Sequence, residues 1–372
     1  MSAVHLPVGG STASRTINCP AWLARAKKMP KPGSNKYADE GNLLHDALED
    51  HYLNDTPFEA MVGVLTYAGI VLDHDHLPLL NACKDQVEQI ISDYDIDEFT
   101  CEPFVQLKEG EIGGSIDFVG VSADRKTVVI LDYKTGQNAV RVTGNEQLLF
   151  YGACAQFDKV TADMFTEAQT LVMVIVQPKV WDEPKVWEQP IQVLDVFKTR
   201  LDDALANPDR AAPGSHCQYC PAAPVCPERK QQARAALLLE PKTSTEVAEA
   251  LQLALELEVW VKQVKDQSED LAFQGARLPG FKLVRGKSNR RYTKEAEAGL
   301  IAELGEAAYS RKLIPITEAE KKLGKGILED RGWAEKPDGK LTLVPETDKR
   351  EAVPVQTDEN LKKFVDKLST KN

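Results

Sequence analysis

Apolar and polar positions change period several times along this chain, and the changes mark out its elements. From residue 38 to 54, Leu44, Leu48 and Tyr52 recur every fourth residue, which is one face of a helix. Before it, a shorter helix is expected from Pro20 to about Lys28, its basic end broken by MPKPGSN. Residues 57 to 95 read as further helices, and CEPFVQLK at 101 to 108 as a strand. The period then shortens. In GGSIDFVGVSADRKTVVILDYKTG, residues 113 to 136, two apolar arms flank Asp124 and Arg125, the pattern of a hairpin. Its second arm, TVVILDYK, is β-branched and aliphatic on both faces, as a doubly covered strand must be. TLVMVIVQP at 170 to 178 is a second such strand, with a short segment at 185 to 187 pairing beside it, and IQVLDVFKTRLDDAL returns to helical spacing. The sum is an α/β unit with a mixed sheet flanked by helices.

Beyond it the pattern changes again. Thr243 and Glu246 make a capping box for a long helix over 243–274. On it Ala250, Ala254, Leu257, Val261, Val264 and Leu271 form a stripe, expected to pack on the body of the protein, with a partner helix or a second copy of the chain as the alternatives. A small domain over 275–345 follows, with a second capping box at Thr317 and Glu320, and then a polar tail over 346–372. Residues 1–16, rich in Gly and Ser, are expected to be mobile.

Charge enters where the buried strand ends. Asp132 and Lys134 are two apart, so both point to one face while Tyr133 points to the other. If the hairpin closes symmetrically about Asp124 and Arg125, Asp117 lies across from Asp132. Opposed Cβ atoms are roughly 5 Å apart, close enough for both carboxylates to grip one divalent ion.

The 372 residues carry 45 basic and 57 acidic side chains, a net charge of -12. Binding of nucleic acid through bulk charge is excluded, and any such contact needs a local basic face. No apolar run approaches the ~20 residues of a membrane span, and a soluble, cytoplasmic chain is expected. Seven cysteines without a secretory leader argue against a disulfide framework. Cys217, Cys220 and Cys226 are spaced C-x2-C-x5-C among prolines, which is ligand spacing for zinc or an iron-sulfur cluster. Both usually take a fourth ligand, and spacing alone does not choose among Cys19, Cys83, Cys101 and Cys154, although Cys154 sits in an apolar helix and reads as a core residue. DHDH at 73 to 76 fits a solvated loop or helix start better than a metal site.

Asp117, Asp132 and Lys134 on a hairpin, with His45 on an upstream helix and Gln147 and Tyr151 as Q-x-x-x-Y downstream, occur in one order. In these residues the chain resembles the RecB-type branch of the PD-(D/E)xK nucleases. The resemblance covers residues 17–230 and implies a restriction-endonuclease-like core with a helical N-terminal insertion, followed by a C-terminal α+β extension. It implies Mg²⁺ or Mn²⁺ held by His45, Asp117, Asp132 and the carbonyl of Tyr133, with Lys134 positioning the attacking water and Gln147 and Tyr151 touching DNA. Glu102 is a further acidic group at such sites, an exposed strand end being the alternative. The resemblance also selects Cys19. A subset of these nucleases brackets the fold with one N-terminal and three C-terminal cysteines around a [4Fe-4S] cluster, and structural Zn²⁺ on the same thiolates is the alternative.

The implied function is a metal-dependent deoxyribonuclease, an exonuclease of DNA recombination, repair or replication such as bacteriophages encode. Its implied partners are DNA, a single-strand-binding or annealing protein, and further copies of itself. No P-loop is present. The opposing reading is a catalytically idle DNA-binding scaffold. For the DNA contact itself, Lys282, Arg285, Lys287, Arg290 and Arg291 cluster beside Phe281 and Tyr292, either as a backbone-binding ribbon or as a solvated one.

Overall fold

The computed structural model describes residues 6–29, 36–241, 243–309, 313–345 and 350–354. Most of the expected MPKPGSN break, and the tail except 350–354, lie outside the described residues. Contacts divide the chain into two compact units, Met1–Leu257 and Glu258–Asn372, so the boundary falls inside the long helix and not ahead of it. Among the described residues no helix is long and apolar enough to cross a membrane.

The first unit opens with α1 (Ala13–Asn18) and α2 (Trp22–Ala26). The expected mobile segment is therefore ordered from Val8 onward. Val8 bridges Ile112 in parallel and exchanges backbone hydrogen bonds with Glu111 and Gly113, which ties the N-terminus to the sheet region. Next come α3 (Lys36–Asn54), the short α4 (Phe58–Met61), a two-stranded ribbon of β1 (Thr66–Tyr67) and β2 (Ile70–Val71), and α5 (Leu77–Asp93). The DHDH segment is the entry to α5, where His76 pairs with Asp73.

A five-stranded mixed sheet lies at the centre, ordered β3 (Ile96–Cys101), β6 (Phe118–Ser122), β7 (Thr127–Tyr133), β8 (Thr170–Val176) and β9 (Lys185–Pro190). Only β7 and β8 run parallel. The strand expected at 101 to 108 is split: Phe104–Lys108, β4, leaves the sheet and pairs with β5 (Ile112–Ser115) in a separate ribbon. The turn that splits it is made by Glu102, whose φ of 49° ends β3.

Alternation along β7 assigns each face a layer. Val128 and Ile130 pack with Leu171, Met173 and Ile175 under α6 (Glu146–Ala155) and α7 (Val193–Ala206). Val129, Leu131 and Tyr133 pack with Val172, Val174 and Val176 under α3 and α5. Each fully buried aliphatic side chain contributes about 1.5–3 kcal/mol, so the doubly covered strands are the most firmly held part of the unit. The helix α6 starts where Asn145 accepts hydrogen bonds from the amides of Gln147 and Leu148, a side-chain cap.

The unit ends with the cysteine loop, α8 (Pro227–Ala236) and the first half of α9 (Ser244–Phe273). The box that caps α9 is formed: Thr243 N donates to Glu246 Oε2 at 3.0 Å, and Glu246 N to Thr243 Oγ1 at 3.2 Å. Its stripe is not a core stripe, since Ala254 and Val261 are exposed and the rest only half-buried. In the second unit, β10 (Phe281–Arg285) pairs with a strand over Leu341–Pro345, and Arg291–Tyr292 with Ala334–Glu335. The box expected at Thr317 does not form. Helix Ile316–Leu323 starts ahead of that threonine with Pro315 as its cap residue, and Glu320 turns instead to Arg290 and Gly326 N.

Candidate active site and cysteine centre

The β6–β7 register pairs Phe118 with Leu131 and Val121 with Val128, the symmetry about Asp124 and Arg125 read from the sequence. It brings Asp117 level with Asp132, where β7 emerges between the two helical layers. Crevices at the carboxyl ends of strands are where open α/β sheets bind ligands.

Three ligand side chains converge there from three elements: His45 from α3, Glu102 from the turn after β3, and Asp117 from the start of the hairpin. Their donor atoms all lie within 4.8 Å of one another. His45 Nδ1 is 3.5 Å from Asp117 Oδ1 and 3.7 Å from Glu102 Oε1. The ring of His45 sits edge-on to Tyr133, 5.7 Å between centroids, which fixes its tilt. Asp117 Oδ2 accepts the amide of Tyr133 at 2.6 Å, locking the hairpin to its own carboxylate. Glu102 holds its left-handed backbone at a cost of about 1–3 kcal/mol, the kind of strain that collects at working sites.

Asp132, only 1% exposed, turns toward α6. Its Oδ1 accepts Gln147 Nε2 at 2.7 Å, and its Oδ2 lies 2.6 Å from Lys134 Nζ. That second contact pairs the buried carboxylate with the ammonium inside the site. Lys134 in turn donates to Gln147 Oε1 at 3.3 Å, and Gln147 Nε2 to Tyr151 Oη at 3.4 Å. Asp132, Lys134, Gln147 and Tyr151 are thus one chain of contacts, adjoining the His45 group through Asp117. The sequence reading placed Asp132 among the metal ligands and left Glu102 outside them, whereas the close group holds Glu102, and Asp132 is engaged by Lys134 and Gln147.

The charges depend on one another. Burial works against the charged form of His45, yet the carboxylates of Asp117 and Glu102 outweigh it and raise the imidazole to about 10. Burial also opposes ionisation of Asp117, but His45, Lys134 and the Tyr133 amide hold it below the usual carboxylate range. Asp132 is raised to about 6, by burial against the pull of Lys134 and with the push of Asp117. Burial raises Glu102 too, with Asp117 adding to it and His45 opposing. Lys134 is raised despite its burial, because two aspartates face it. An excess of buried carboxylate, relieved by one protonated imidazole and one ammonium, is a donor set into which a divalent cation fits.

Tyr151 reaches the site over two glycines. A Cβ built on Gly10 would fall 2.4 Å from the tyrosine ring, and one on Gly114 3.5 Å from it. The ordered N-terminus therefore serves as the floor under Tyr151.

The second constellation is the cysteine loop. Cys19, at the end of α1, and Cys217, Cys220 and Cys226 line one small pocket together with Arg15, Trp22, Arg25 and His216. None of the seven cysteines forms a disulfide bond. Arg15 stacks over Trp22 at 4.6 Å and donates to the carbonyl of Tyr219. Arg25 donates to Cys226 Sγ at 3.3 Å while bound to Glu228. Burial pushes the thiols of Cys220 and Cys226 up, with Arg15 pulling Cys220 back. Among the described residues no group of three that includes these sulfurs closes within 4.8 Å. Cys83, Cys101 and Cys154 lie elsewhere in the core, where burial pushes each thiol up to about 12.

The basic ribbon is largely neutralised. Arg285 pairs with Asp338, Arg290 with Glu320 and Glu329, and Arg291 with Glu335. Among the described residues, Lys282 and Lys287 have no carboxylate partner.

The sequence reading missed one residue of this region, Gln177. It is 1% exposed and ends the apolar run of β8. Its Nε2 donates to the carbonyls of Gly136 and Asn138, at 3.0 and 2.8 Å, and its Oε1 accepts Val140 N at 3.0 Å. The signal was a lone amide closing an otherwise unbroken hydrophobic strand.

A family model described as a protein of unknown function, DUF2800, matches residues 5–351.

Proposed function

The chain belongs to the DUF2800 family, whose description assigns it no activity, and from the geometry of its His45 centre we propose that it is a metal-dependent deoxyribonuclease with a PD-(D/E)xK core. The observation that carries this reading is the meeting of His45, Glu102 and Asp117 within 4.8 Å, beside a buried Asp132–Lys134 pair at the carboxyl end of a central strand.

His45, Glu102 and Asp117 would hold Mg²⁺ or Mn²⁺, with Asp132 adjoining beside its pair with Lys134. Such an ion, when bound, lowers the pKa of water and polarises a phosphoryl oxygen. The chain's own residues do the rest. Lys134, kept protonated by Asp132 and Asp117, carries a positive charge to the position where negative charge develops on the phosphate. Gln147 fixes the Asp132 carboxylate with one end of its amide and Lys134 with the other, so both reacting groups share one rigid brace. Tyr151 extends that brace toward the strand being cut.

The cysteine pocket is read as the seat of a [4Fe-4S] cluster. Structural zinc on the same four thiolates is the alternative occupant of the pocket.

A digestion assay tests the enzymatic reading. Linear and circular DNA incubated with the purified chain should be degraded in Mg²⁺ or Mn²⁺, survive in chelator, and survive with Asp132→Asn in either metal. Intact DNA under all conditions would instead support the second reading, a binding protein that keeps the fold.

A further inference from the structure

A cavity of about 570 Å³ opens beside the catalytic brace, lined by Ser14 and Asn18 of α1, by Arg141, Thr143 and Asn145, and by Ser215 of the cysteine loop. We infer that this groove holds the sugar–phosphate backbone of one DNA strand next to the scissile phosphate, with Arg141 as its phosphate contact and Gln177 as the residue that positions Arg141. The inference rests on the nuclease reading and gives that site its substrate form, a single strand.

Several independent observations lead to it. Glu146 lines the groove and directly precedes Gln147, so groove and reacting centre are neighbours on one helix. The groove is polar, and its one carboxylate is spent: Glu146 Oε1 is 2.7 Å from Arg200, and its Oε2 accepts Asn18 Nδ2 at 3.0 Å. Nothing acidic is left to repel a phosphate. Arg141 is exposed and makes no ion pair among the described residues, in contrast to the arginines of the basic ribbon. The first free amides of α6 are already taken by Asn145, so the available positive group is the guanidinium and not the helix end.

An exposed arginine on a slack loop would lose much of its binding energy to ordering. This loop is not slack. Two hydrogen bonds donated by the buried Gln177 and one accepted by it hold residues 136, 138 and 140, immediately before Arg141. A buried amide devoted entirely to one surface loop fits a binding element set in advance of its ligand. The volume lies within the roughly 300–1,000 Å³ of small-ligand sites, room for a nucleotide or two of one strand. Ala212 and His216 line both this groove and the cysteine pocket, so the cysteine loop forms one of its walls.

The test uses full-length protein carrying Asp132→Asn to prevent cleavage, with a fluorescent oligothymidylate as probe. Adding Arg141→Ala should weaken binding several-fold and reduce the slope of log K against log salt by about 0.7, the loss of one single-strand phosphate contact. Arg141→Lys should retain most of the slope. Gln177→Ala should weaken binding in the same direction, and the Arg141→Ala/Gln177→Ala double variant should be no weaker than Arg141→Ala alone, because the glutamine acts through the arginine. With Asp132 intact, Arg141→Ala should raise KM for the oligonucleotide far more than it lowers kcat. Unchanged affinity and slope in Arg141→Ala would overturn the groove, as would an equal fractional loss for a duplex of the same length. If the chain binds oligonucleotide as described yet cleaves nothing in any divalent metal, the nuclease reading fails and the groove stands. If it cleaves and Arg141→Ala is indistinguishable from the parent, the groove fails alone.

Discussion

Lys134 sits between two aspartates whose repulsion it relieves, which makes it the most informative single residue of the site. Replacing it with Ala, or Asp132 with Asn, should lower turnover on the order of 10²–10³-fold, the usual loss when a preorganised electrostatic group is removed. Folding should survive either change, which circular dichroism and a melting curve would show. His45 supplies a second prediction. In the ion-free protein its pKa of about 10 keeps it protonated through neutral pH, so a cation must displace that proton to bind. Affinity for Mn²⁺ should therefore rise with pH between 6 and 9, with about one proton released per ion. Calorimetry in buffers of different protonation enthalpy measures that number, and a value of zero would remove His45 from the ligand set. His45, Asp117, Asp132, Lys134, Gln147 and Tyr151 were picked out together only by the order of motifs in the resemblance, since D-x-K alone occurs by chance on solvated strands and His45 alone reads as a helix-surface residue. What was not legible was the division of labour, since whether Asp132 or Glu102 joins His45 depends on a left-handed turn that no local pattern announces.

Among the elements, the hairpin and its parallel neighbour β8 were readable from unbroken apolar runs, and α6 from the Q-x-x-x-Y spacing between them. The first eighteen residues were not. A Gly- and Ser-rich opening carries no period, yet here Gly10 must be small because Tyr151 lies on it. Gly10→Val would press a side chain into the tyrosine ring, and overpacking of this kind costs about 1–3 kcal/mol. The larger effect should be on function: a displacement of Tyr151 by an ångström or so should reduce cleavage about 10²-fold. Turnover close to that of the unmodified protein would mean that Tyr151 does not need its floor. The split of the 101–108 strand was also hidden, because an apolar pattern does not tell which sheet a strand joins.

For the whole molecule, the cysteine pocket joins the beginning of the first unit to its end. A metal centre held by Cys19 and by Cys217, Cys220 and Cys226 closes a loop of roughly 200 residues, worth about 5 kcal/mol on the loop-entropy estimate for a cross-link. Cys19→Ala should lose the metal and lower the Tm by roughly 10 °C, whereas Cys83→Ala and Cys154→Ala should keep the metal. Anaerobically purified protein should be brown if the centre is iron-sulfur and colourless if it is zinc, and metal analysis decides between them. A Cys19→Ala protein with full metal content would remove the tie between the ends. The basic ribbon shows the limit of reading charge from sequence. The carboxylates that neutralise Arg285, Arg290 and Arg291 come from Glu320, Glu329, Glu335 and Asp338, distant in the chain and brought back by the fold of the second unit.

The central claim is that one divalent ion on His45, Glu102 and Asp117 both binds and cuts. Mn²⁺ binding, followed by the loss of its free-ion paramagnetic signal, and Mn²⁺-dependent cleavage of linear DNA can be measured on the same preparations of unmodified protein and of Asp117→Asn. The account predicts that Asp117→Asn loses both together while its thermal unfolding stays cooperative. A folded Asp117→Asn protein that binds Mn²⁺ and cleaves DNA as the unmodified chain does would contradict it.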